Sequence, residues 1–585
     1  MPKSAMTKNK RDKSGLRSAI GQTLMTSRRA IWGVGVFSAF INLLMLTGPI
    51  YMLQVYDRVL VSRSVSTLVA ISLLMAFLYF FMGLLDIFRS RVLIRLATWF
   101  EKTLGGRTFD VWLKQGLYGK SAERVQPLHD LSSLKQFMSG NALGAFFDIP
   151  WIIVYIGVIY MLHFSLGLIA TFGAIIIFTI AIYNEIATRK PALEARKMRR
   201  IEQNIATQVY RNSETVVAMG MGGHMKGRWS AIGAQAEGDA LLSSDRGGNA
   251  TASTKAFRMF IQSAVLGAGG YLAVLNIITP GMMIAGSIIM GRALAPVQMA
   301  VGQWRSFNIA RDAYKRLNKF YAVMPENEDT TSLPKPTGKL SIENLFAGPP
   351  GAKMAVLQGL NFKLQPGDGL GVIGPSASGK STLARMLVGV WSPQRGAVRL
   401  DGATFDQWDR DELGPHIGYL PQEVELFDGT IGENIGRFNP QASDEQIVRA
   451  ARRAGVHELI LKFPDGYETR IGEGGAVLSG GQTQRIALAR AIYGDPVLII
   501  MDEPNANLDT EGDMALTRAI AGLRKEGKVV IVMTHRHSAI VAIDKLLMLR
   551  DGKQVAFGKK EDVLEKVLAE QQQTNAASMI REVKK

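Results

Sequence analysis

Long apolar runs punctuate the first half of the chain. Six of them approach the ~20 residues that a helix needs to cross a ~30 Å hydrocarbon core. They cover about 30–55, 67–87, 144–163, 166–184, 257–278 and 281–301, and Arg292 and Pro296 interrupt the sixth. Buried core helices of a soluble protein are the alternative, but one core does not need six such runs. Because backbone groups cannot stay unpaired in lipid, the pattern predicts six transmembrane helices.

The gaps between these runs are strongly unequal. Two long gaps, 88–143 and 185–256, are rich in Lys and Arg and also have the composition of helices. Basic segments tend to stay in the cytoplasm. We therefore expect a multi-pass membrane protein, with helices that project below the bilayer and with both termini in the cytoplasm.

The second half of the chain has a different character. Short apolar strands alternate there with amphipathic helices, which is typical of an α/β domain. The predicted divisions are a basic cytoplasmic segment 1–29, a transmembrane domain 30–323, a polar linker 324–340, an α/β domain 341–566 and a polar tail 567–585.

Composition narrows the possible chemistry. The chain has 0 Cys, which excludes a disulfide scaffold, a zinc–thiolate site and a cysteine nucleophile. The net charge is +18, and residues 1–30 hold eight Lys or Arg against one acidic residue. No zinc-finger spacing or RNA-binding pattern accompanies this charge, so we expect an anionic membrane surface and no nucleic acid as the partner. The first apolar run lacks a small-residue cleavage site and does not read as a signal peptide.

A phosphate-binding loop follows the apolar strand 369–373 and precedes a helix-like stretch. Its residues are Gly374, Pro375, Ser376, Ala377, Ser378, Gly379, Lys380, Ser381 and Thr382. Glycines let backbone N–H groups surround phosphates, and the N-terminus of the helix favours negative charge. We assign Lys380 to the β and γ phosphates of ATP and the Ser381 hydroxyl to Mg²⁺.

Two carboxylates end a second apolar strand, 496–501. Asp502 is placed to hold Mg²⁺, and Glu503 to polarise the attacking water as a general base. Any buried strand can end in Asp-Glu, so the pair is informative only together with the phosphate-binding loop. We expect the two strands to be neighbours in one sheet.

A second loop of small residues, Ser479, Gly480, Gly481 and Gln482, precedes another helix-like stretch. Two phosphate cradles in one domain are redundant unless the second serves a different nucleotide. Together these stretches resemble the nucleotide-binding domain of an ATP-binding cassette (ABC) transporter, with 478–482 matching its signature motif. The resemblance implies a homodimer in which the signature loop of one copy closes over nucleotide held by the other.

The same resemblance assigns further residues. Gln422 corresponds to a residue that senses Mg²⁺ and water and also meets the membrane domain, Asp509 to the D-loop, and His535 to the histidine that contacts the γ-phosphate. Lys380, Gln422, Glu503 and His535 are thus the expected catalytic set. Many relatives stack an aromatic ring on adenine where this chain has Gly348. The ring of Phe346 is the nearest one that could stack on adenine instead, although we favour a position in the hydrophobic core for it.

The membrane half resembles one branch of these transporters. The stretches 51–68, 146–151 and 214–221, with 471–482 and 502–509, are similar to type I secretion exporters that lack an N-terminal peptidase-like domain. That resemblance implies ATP-driven export of unfolded proteins with C-terminal signals. It also implies a periplasmic membrane-fusion adaptor and an outer-membrane channel as partners.

Two other functions stay open. The first is an exporter of lipids or small hydrophobic molecules. The second is an ATP-gated channel, against which Glu503 and His535 argue because they belong to a hydrolytic site. Within the membrane half, Asp148 is costly near lipid, so we expect it to be paired or gating unless it caps a helix.

Overall fold

The computed structural model describes residues 19–117, 126–323, 332–352, 354–472, 475–534 and 536–566. These residues form two compact units. The first unit contains 19–113 and 126–323, and the second contains 114–117 and 332–566. The tail 567–585, His535, most of the basic segment and much of the linker lie outside the described residues.

The first unit is built from helices. They are α1 (Ala19–Thr26), α2 (Arg28–Leu44), α3 (Thr47–Gln54), α4 (Leu60–Ser62), α5 (Val65–Leu117), α6 (Pro127–Ser139), α7 (Asn141–Asp148), α8 (Trp151–Leu162), α9 (Phe164–Arg211), α10 (Ser213–Ala218), α11 (Gly222–Val274), α12 (Pro280–Gly302) and α13 (Trp304–Val323). A π-helical turn, Val55–Val59, joins α3 to α4. The last turn of α5 belongs to the second unit.

Most of each predicted apolar run is helical, although a turn at 45–46 interrupts the first run and the fifth leaves helix after Val274. Among the described residues, five helical segments are long and apolar enough to cross a membrane, namely Arg28–Ser62, α5, α9, α11 and α12. The third run instead forms a pair, α7 and α8, bent by 42°. Pro150 lies at this bend, where its ring removes a backbone donor. Counting the bent pair as one span gives the six predicted spans, and α12 continues through Pro296.

The basic gaps extend the apolar helices, as predicted. Helices α5 and α11 have 53 residues each and α9 has 48. At 1.5 Å per residue these helices reach roughly 70–80 Å, far more than the ~30 Å of a hydrocarbon core. Helices α9 and α11 pack along each other, and α8 and α12 complete a core that includes Tyr155, Ile159 and Met290.

Asp148 is paired, and it joins three apolar segments. Its carboxylate accepts hydrogen bonds from Asn42 Nδ2 on α2 at 2.7 Å and from Arg89 Nη1 on α5 at 3.3 Å. Tyr155 on α8 donates to Asn42 Oδ1 at 2.9 Å, so the amide is used at both ends. Arg89 has a second, exposed partner in Asp86. The network therefore satisfies a buried charge at the bend between α7 and α8.

The second unit combines three sheets with short helices. Its strands are β1 (Leu340–Ala347), β2 (Leu357–Leu364), β3 (Gly369–Ile373), β4 (Arg395–Leu400), β5 (Ala403–Thr404), β6 (Ile417–Leu420), β7 (Gly429–Thr430), β8 (Arg470–Ile471), β9 (Leu498–Asp502), β10 (Val529–Met533), β11 (Lys545–Arg550) and β12 (Lys553–Lys559). Its helices are α14 (Lys380–Leu387), α15 (Arg410–Leu413), α16 (Ile431–Ile435), α17 (Asp444–Arg453), α18 (His457–Ile460), α19 (Gly480–Ile492), α20 (Thr510–Lys525) and α21 (His537–Val541). Two single 3₁₀ turns, Gly414–His416 and Gly466–Glu468, complete it.

The central sheet has the strand order β12-β11-β3-β10-β9-β6. Strands β3, β6, β9, β10 and β11 run parallel, and β12 is antiparallel at one edge. The expectation that the strand ending at Asp502 neighbours the strand before the phosphate-binding loop was wrong, because β10 pairs with both and lies between them. Since these strands are parallel, their carboxyl ends still meet at one edge of the sheet.

We expect the buried partner of Arg89, Asp148, to contribute more to the free energy of unfolding than its exposed partner, Asp86. Asp148→Ala would remove the buried carboxylate partner of Arg89, and it would leave Asn42 Nδ2 with only its bond to the Ser38 carbonyl oxygen. Loss of one partner of a buried pair costs about 3 kcal/mol. Asp86→Ala removes the exposed partner of the same arginine and should cost less than about 1 kcal/mol. Thermal unfolding of the two purified variants in lipid discs measures the difference. Equal shifts for both variants would contradict a structural role for the buried network.

Candidate nucleotide site

The phosphate-binding loop has the predicted strand–loop–helix setting. Strand β3 is buried, and α14 begins at Lys380 directly after Gly379. Gly379 has a φ of +100°, and a Cβ there would lie 2.6 Å from a methyl carbon of Leu357. A side chain at this position would therefore meet the wall behind the loop, so the backbone can follow this path only as glycine.

Lys380 is held inside the loop that it serves. Its Nζ donates to the carbonyl oxygens of Gly374 at 2.9 Å and Pro375 at 3.0 Å. Burial lowers the pKa of Lys380, while the nearby carboxylates of Glu503 and Asp502 oppose that shift. The ammonium group is thus placed among acceptors and negative charges, in an orientation fixed by the loop itself.

Ser381 and Asp502, both predicted as metal ligands, are brought together. Asp502 is only 2% exposed, and burial raises its pKa. The nearby Ser381 hydroxyl opposes that rise. Asp502 Oδ1 has no hydrogen-bond partner among the described residues. A buried carboxylate oxygen without a donor fits a cation as its missing partner, so the residues present suit a bound Mg²⁺.

Glu503 lies in a strained turn beside Asp502. Its φ is +51°, a left-handed conformation that costs a non-glycine residue on the order of 1–2 kcal/mol. Gln422 Nε2 donates to Glu503 Oε2 at 3.1 Å. Two predicted catalytic side chains are therefore in direct contact, and the amide of Gln422 orients the carboxylate that we assigned as the base.

Gln484 stabilises that turn, and the sequence predictions missed it. Its Nε2 donates to the carbonyl oxygens of Glu503 at 3.2 Å and Pro504 at 2.6 Å, and its Oε1 accepts from Asn507 N. The side chain is 2% exposed. Its only signal in the sequence is an uncharged polar residue on the buried face of an amphipathic helix, which does not by itself predict a partner.

The signature loop packs against the segment that follows Pro504. Ser479 caps α19 and forms a capping box with Gln482. A Cβ on Gly481 would lie 2.9 Å from Asn507 O, and Gly480 faces the side chain of the same asparagine. In the described residues, no hydrogen bond or ion pair joins 479–482 to 374–382. The two predicted phosphate cradles are therefore not linked to each other by polar contacts within one chain.

Asp509 belongs to the same surface. It caps α20 through Gly512 N at 2.8 Å and pairs with Arg485 Nη2 at 2.5 Å. The hydrogen bond from Gly512 is the largest cause of a pKa of Asp509 below its ordinary value. Its carboxylate is thus bound to its own chain, while His535, the remaining predicted catalytic residue, lies outside the described residues.

The position expected for an adenine-stacking ring is crowded. A Cβ on Gly348 would lie 3.0 Å from the backbone oxygen of Met354, so the backbone at Met354 would have to shift to accept a side chain there. Phe346 is half-buried on β1, and the guanidinium of Arg395 lies 5.8 Å from its ring centroid. The ring is therefore covered by a cation on one face and does not belong to the central core cluster.

Ala377 provides a direct measure of strain in the phosphate-binding loop. Its φ of +65° is left-handed, a conformation that glycine adopts without penalty. Ala377→Gly should leave the thermal midpoint of the full-length protein unchanged or raised, because relief of about 1 kcal/mol offsets the flexibility gained on unfolding. Ala521→Gly, in the regular helix α20, should lower it by the usual ~0.5–1 kcal/mol. A comparable loss in both variants would show that the loop at Ala377 is not strained.

Comparison with known proteins agrees with this geometry. The family model described as "ABC transporter transmembrane region" matches residues 31–296, and the model described as "ABC transporter" matches 357–506. Among solved structures, the chain is similar to a bacterial Atm1-family ABC exporter with ATP bound, with a TM-score of 0.71 and 20% identity over 92% of this chain and 96% of the other. At that identity the likeness shows the fold of an ABC exporter.

Similar sequences place the chain in a narrower group than the fold does. The chain is 45% identical to the type I secretion system ATP-binding protein PrsD of Rhizobium meliloti, over 96% of this chain and 97% of the relative. It is 28% identical to the cyclolysin secretion/processing ATP-binding protein CyaB of Bordetella pertussis and 27% identical to the alpha-hemolysin translocation ATP-binding protein HlyB of Escherichia coli. Those two alignments cover 92% and 90% of this chain and 76% and 75% of the relatives. The chain therefore belongs to the ABC transporter family, among the multi-pass type I secretion ATP-binding proteins.

Proposed function

We propose that this protein is the ATP-hydrolysing exporter of a type I secretion system, located in the bacterial inner membrane with both termini in the cytoplasm. The observation that carries the proposal is 45% identity to a type I secretion protein over nearly the whole of both chains. The exported substrate would be an unfolded protein with a C-terminal signal. A periplasmic membrane-fusion adaptor and an outer-membrane channel would complete the path through the envelope.

Each predicted site residue would have a separate role in ATP binding or hydrolysis. Lys380 and the backbone of 374–382 would hold the phosphates of ATP, and Ser381, Asp502 and Gln422 would hold Mg²⁺. Mg²⁺ bound there would neutralise charge on the phosphate oxygens. Glu503, oriented by Gln422 at 3.1 Å, would polarise the attacking water, and His535 would contact the γ-phosphate.

We further propose that the chain works as a homodimer with two composite sites. The support is that the signature loop packs on Asn507 and makes no polar bond to its own phosphate-binding loop in the described part of the chain. Ser479 to Gln482, with Asp509, would then meet ATP held by the partner's loop. ATP would bridge the two copies, hydrolysis would remove the bridge, and the change of state would drive the transmembrane domain 30–323.

Loss of the gene tests protein export directly. We expect one or more proteins to disappear from the culture supernatant of a deletion strain, as identified by mass spectrometry. The wild-type chain should restore them, whereas Glu503→Gln should not, because its ATPase rate falls by about 10²–10⁴ while the amide still accepts the bond from Gln422. Glu561→Gln, an exposed acid near the end of the described chain and outside the site, is the matched control.

The outcome separates the competing functions. An unchanged supernatant together with altered lipid or drug export would move the assignment to a small-molecule exporter. An unchanged ATPase rate in Glu503→Gln would remove Glu503 as the base.

Mixing two inactive variants tests the composite site. Lys380→Ala disables the phosphate-binding loop and Ser479→Arg disables the signature loop, so each homodimer should be inactive. In a mixed dimer one site combines both lesions, and the other combines two intact halves. Random reassembly of equal amounts should therefore recover about a quarter of the wild-type ATPase rate, since half of the dimers carry one intact site of two. A mixture as inactive as its components would place both loops of a site in one chain.

A further inference from the structure

A second polar site lies in the first unit. Residues of α9, α11, α12 and α13 line a cavity of about 420 Å³ just beyond the apolar run 166–184. Small residues of α11 between 236 and 251 form one wall. A cavity of this size accommodates a short peptide segment or a ligand of similar bulk.

The charge of the lining is one-sided. Arg196 and Arg199 from α9 and Arg305 from α13 line the cavity, and no Asp or Glu does. Arg196 pairs with Asp312 at 3.2 Å, and Arg199 pairs with Glu202 at 2.9 Å. Arg305 makes no ion pair with any described residue. Arg305 is therefore the cation of this lining that lacks an acidic partner among the described residues, and it favours an anionic group in the cavity.

Two amide groups in the lining have an unpartnered oxygen. Asn184 is only 4% exposed, and its Oδ1 has no hydrogen-bond partner among the described residues. Asn308 Nδ2 donates to Glu185 Oε2 at 3.0 Å, which fixes the orientation of that amide, and its Oδ1 is also buried without a partner. Buried acceptors of this kind are costly unless a donor reaches them. A fitting ligand must therefore donate N–H groups as well as carry negative charge.

An extended acidic polypeptide meets both requirements. Its side-chain carboxylates match the arginines, and its backbone N–H groups match the amide oxygens of Asn184 and Asn308. A phosphate group offers acceptors only and leaves both amides unsatisfied. We propose that this cavity binds an acidic segment of the exported polypeptide, an inference that rests on the proposed export function.

Binding of a defined peptide to the full-length protein tests the proposal. The probe is a fluorescein-labelled peptide of ten residues that alternates Asp and Ala, and its neutral counterpart alternates Asn and Ala. Anisotropy is measured with the protein in phosphatidylcholine discs without nucleotide. We expect the acidic peptide to bind at least about tenfold more tightly than the neutral one.

Matched variants locate the site. Arg305→Glu reverses one charge inside the cavity and should weaken the acidic peptide by about tenfold or more. Arg189→Glu reverses an exposed charge on α9 outside the cavity and should leave affinity within about twofold. Asn184→Leu removes an acceptor without emptying its volume and should weaken both peptides by a similar factor. Basal ATPase rates, expected to match the wild type, confirm that each variant is folded.

Several results would overturn the proposal. Equal weakening by Arg305→Glu and Arg189→Glu would indicate general surface charge, and unchanged binding in Asn184→Leu would remove the amides from the site. Binding of spin-labelled phosphatidylglycerol that is lost in Arg305→Glu, without any peptide binding, would assign the cavity to a lipid headgroup. If secretion requires the protein but the peptide does not bind, this inference alone fails. If the peptide binds but no secreted protein depends on the chain, the export function alone fails.

Discussion

The nucleotide site depends on one buried carboxylate, that of Asp502, which is 2% exposed and lies near the Ser381 hydroxyl. The first turn of α14 and the end of β9 are thus in contact, although β10 separates β9 from β3 in the sheet. Asp502 Oδ1 has no hydrogen-bond partner among the described residues. A buried negative charge in that state is unfavourable until a cation approaches it. The free protein therefore stores in Asp502 an unfavourable interaction that Mg²⁺ and ATP would relieve together.

Backbone strain also occurs close to this carboxylate. Glu503 and Ala377 both adopt left-handed backbone conformations within the site, and both carry a side chain. Gln484 holds the turn at Glu503 with three hydrogen bonds from inside α19, the helix that Ser479 caps. The turn at Glu503 and the predicted signature loop are thus anchored to one helix. A displacement of α19 would move both, and in the proposed composite site it would couple the two halves.

The sequence predicted the local elements well and their neighbours less well. Apolar length alone located the spans, because lipid allows few alternatives to a helix. The loop 374–382 was predicted because its chemistry requires consecutive residues. The order of β3, β10 and β9 was not predicted, since chain spacing does not show which strand inserts between two others. Gln484 was missed because its partners are backbone carbonyls, which leave no pattern in the sequence. The bend at Pro150 could have been inferred from the proline. The hydrogen-bond partners of Asp148 could not, because they lie on helices that are distant along the chain.

Two buried polar groups in the membrane domain differ in a way that bears on function. Asp148 has donors on α2 and α5, and the amide that serves it is itself used at both ends, so nothing in that network calls for a ligand. Asn184 lies beside three arginines with its oxygen unpartnered. An unpartnered buried atom alone does not define a site. Asn184 shares with Asp502 a buried oxygen that has no partner among the described residues and that lies in a site with an unmet charge requirement. In the cavity Arg305 lacks an acidic partner among the described residues, and at the end of β9 the carboxylate of Asp502 itself is buried. The first arrangement favours an anionic ligand with N–H donors, and the second favours a cation.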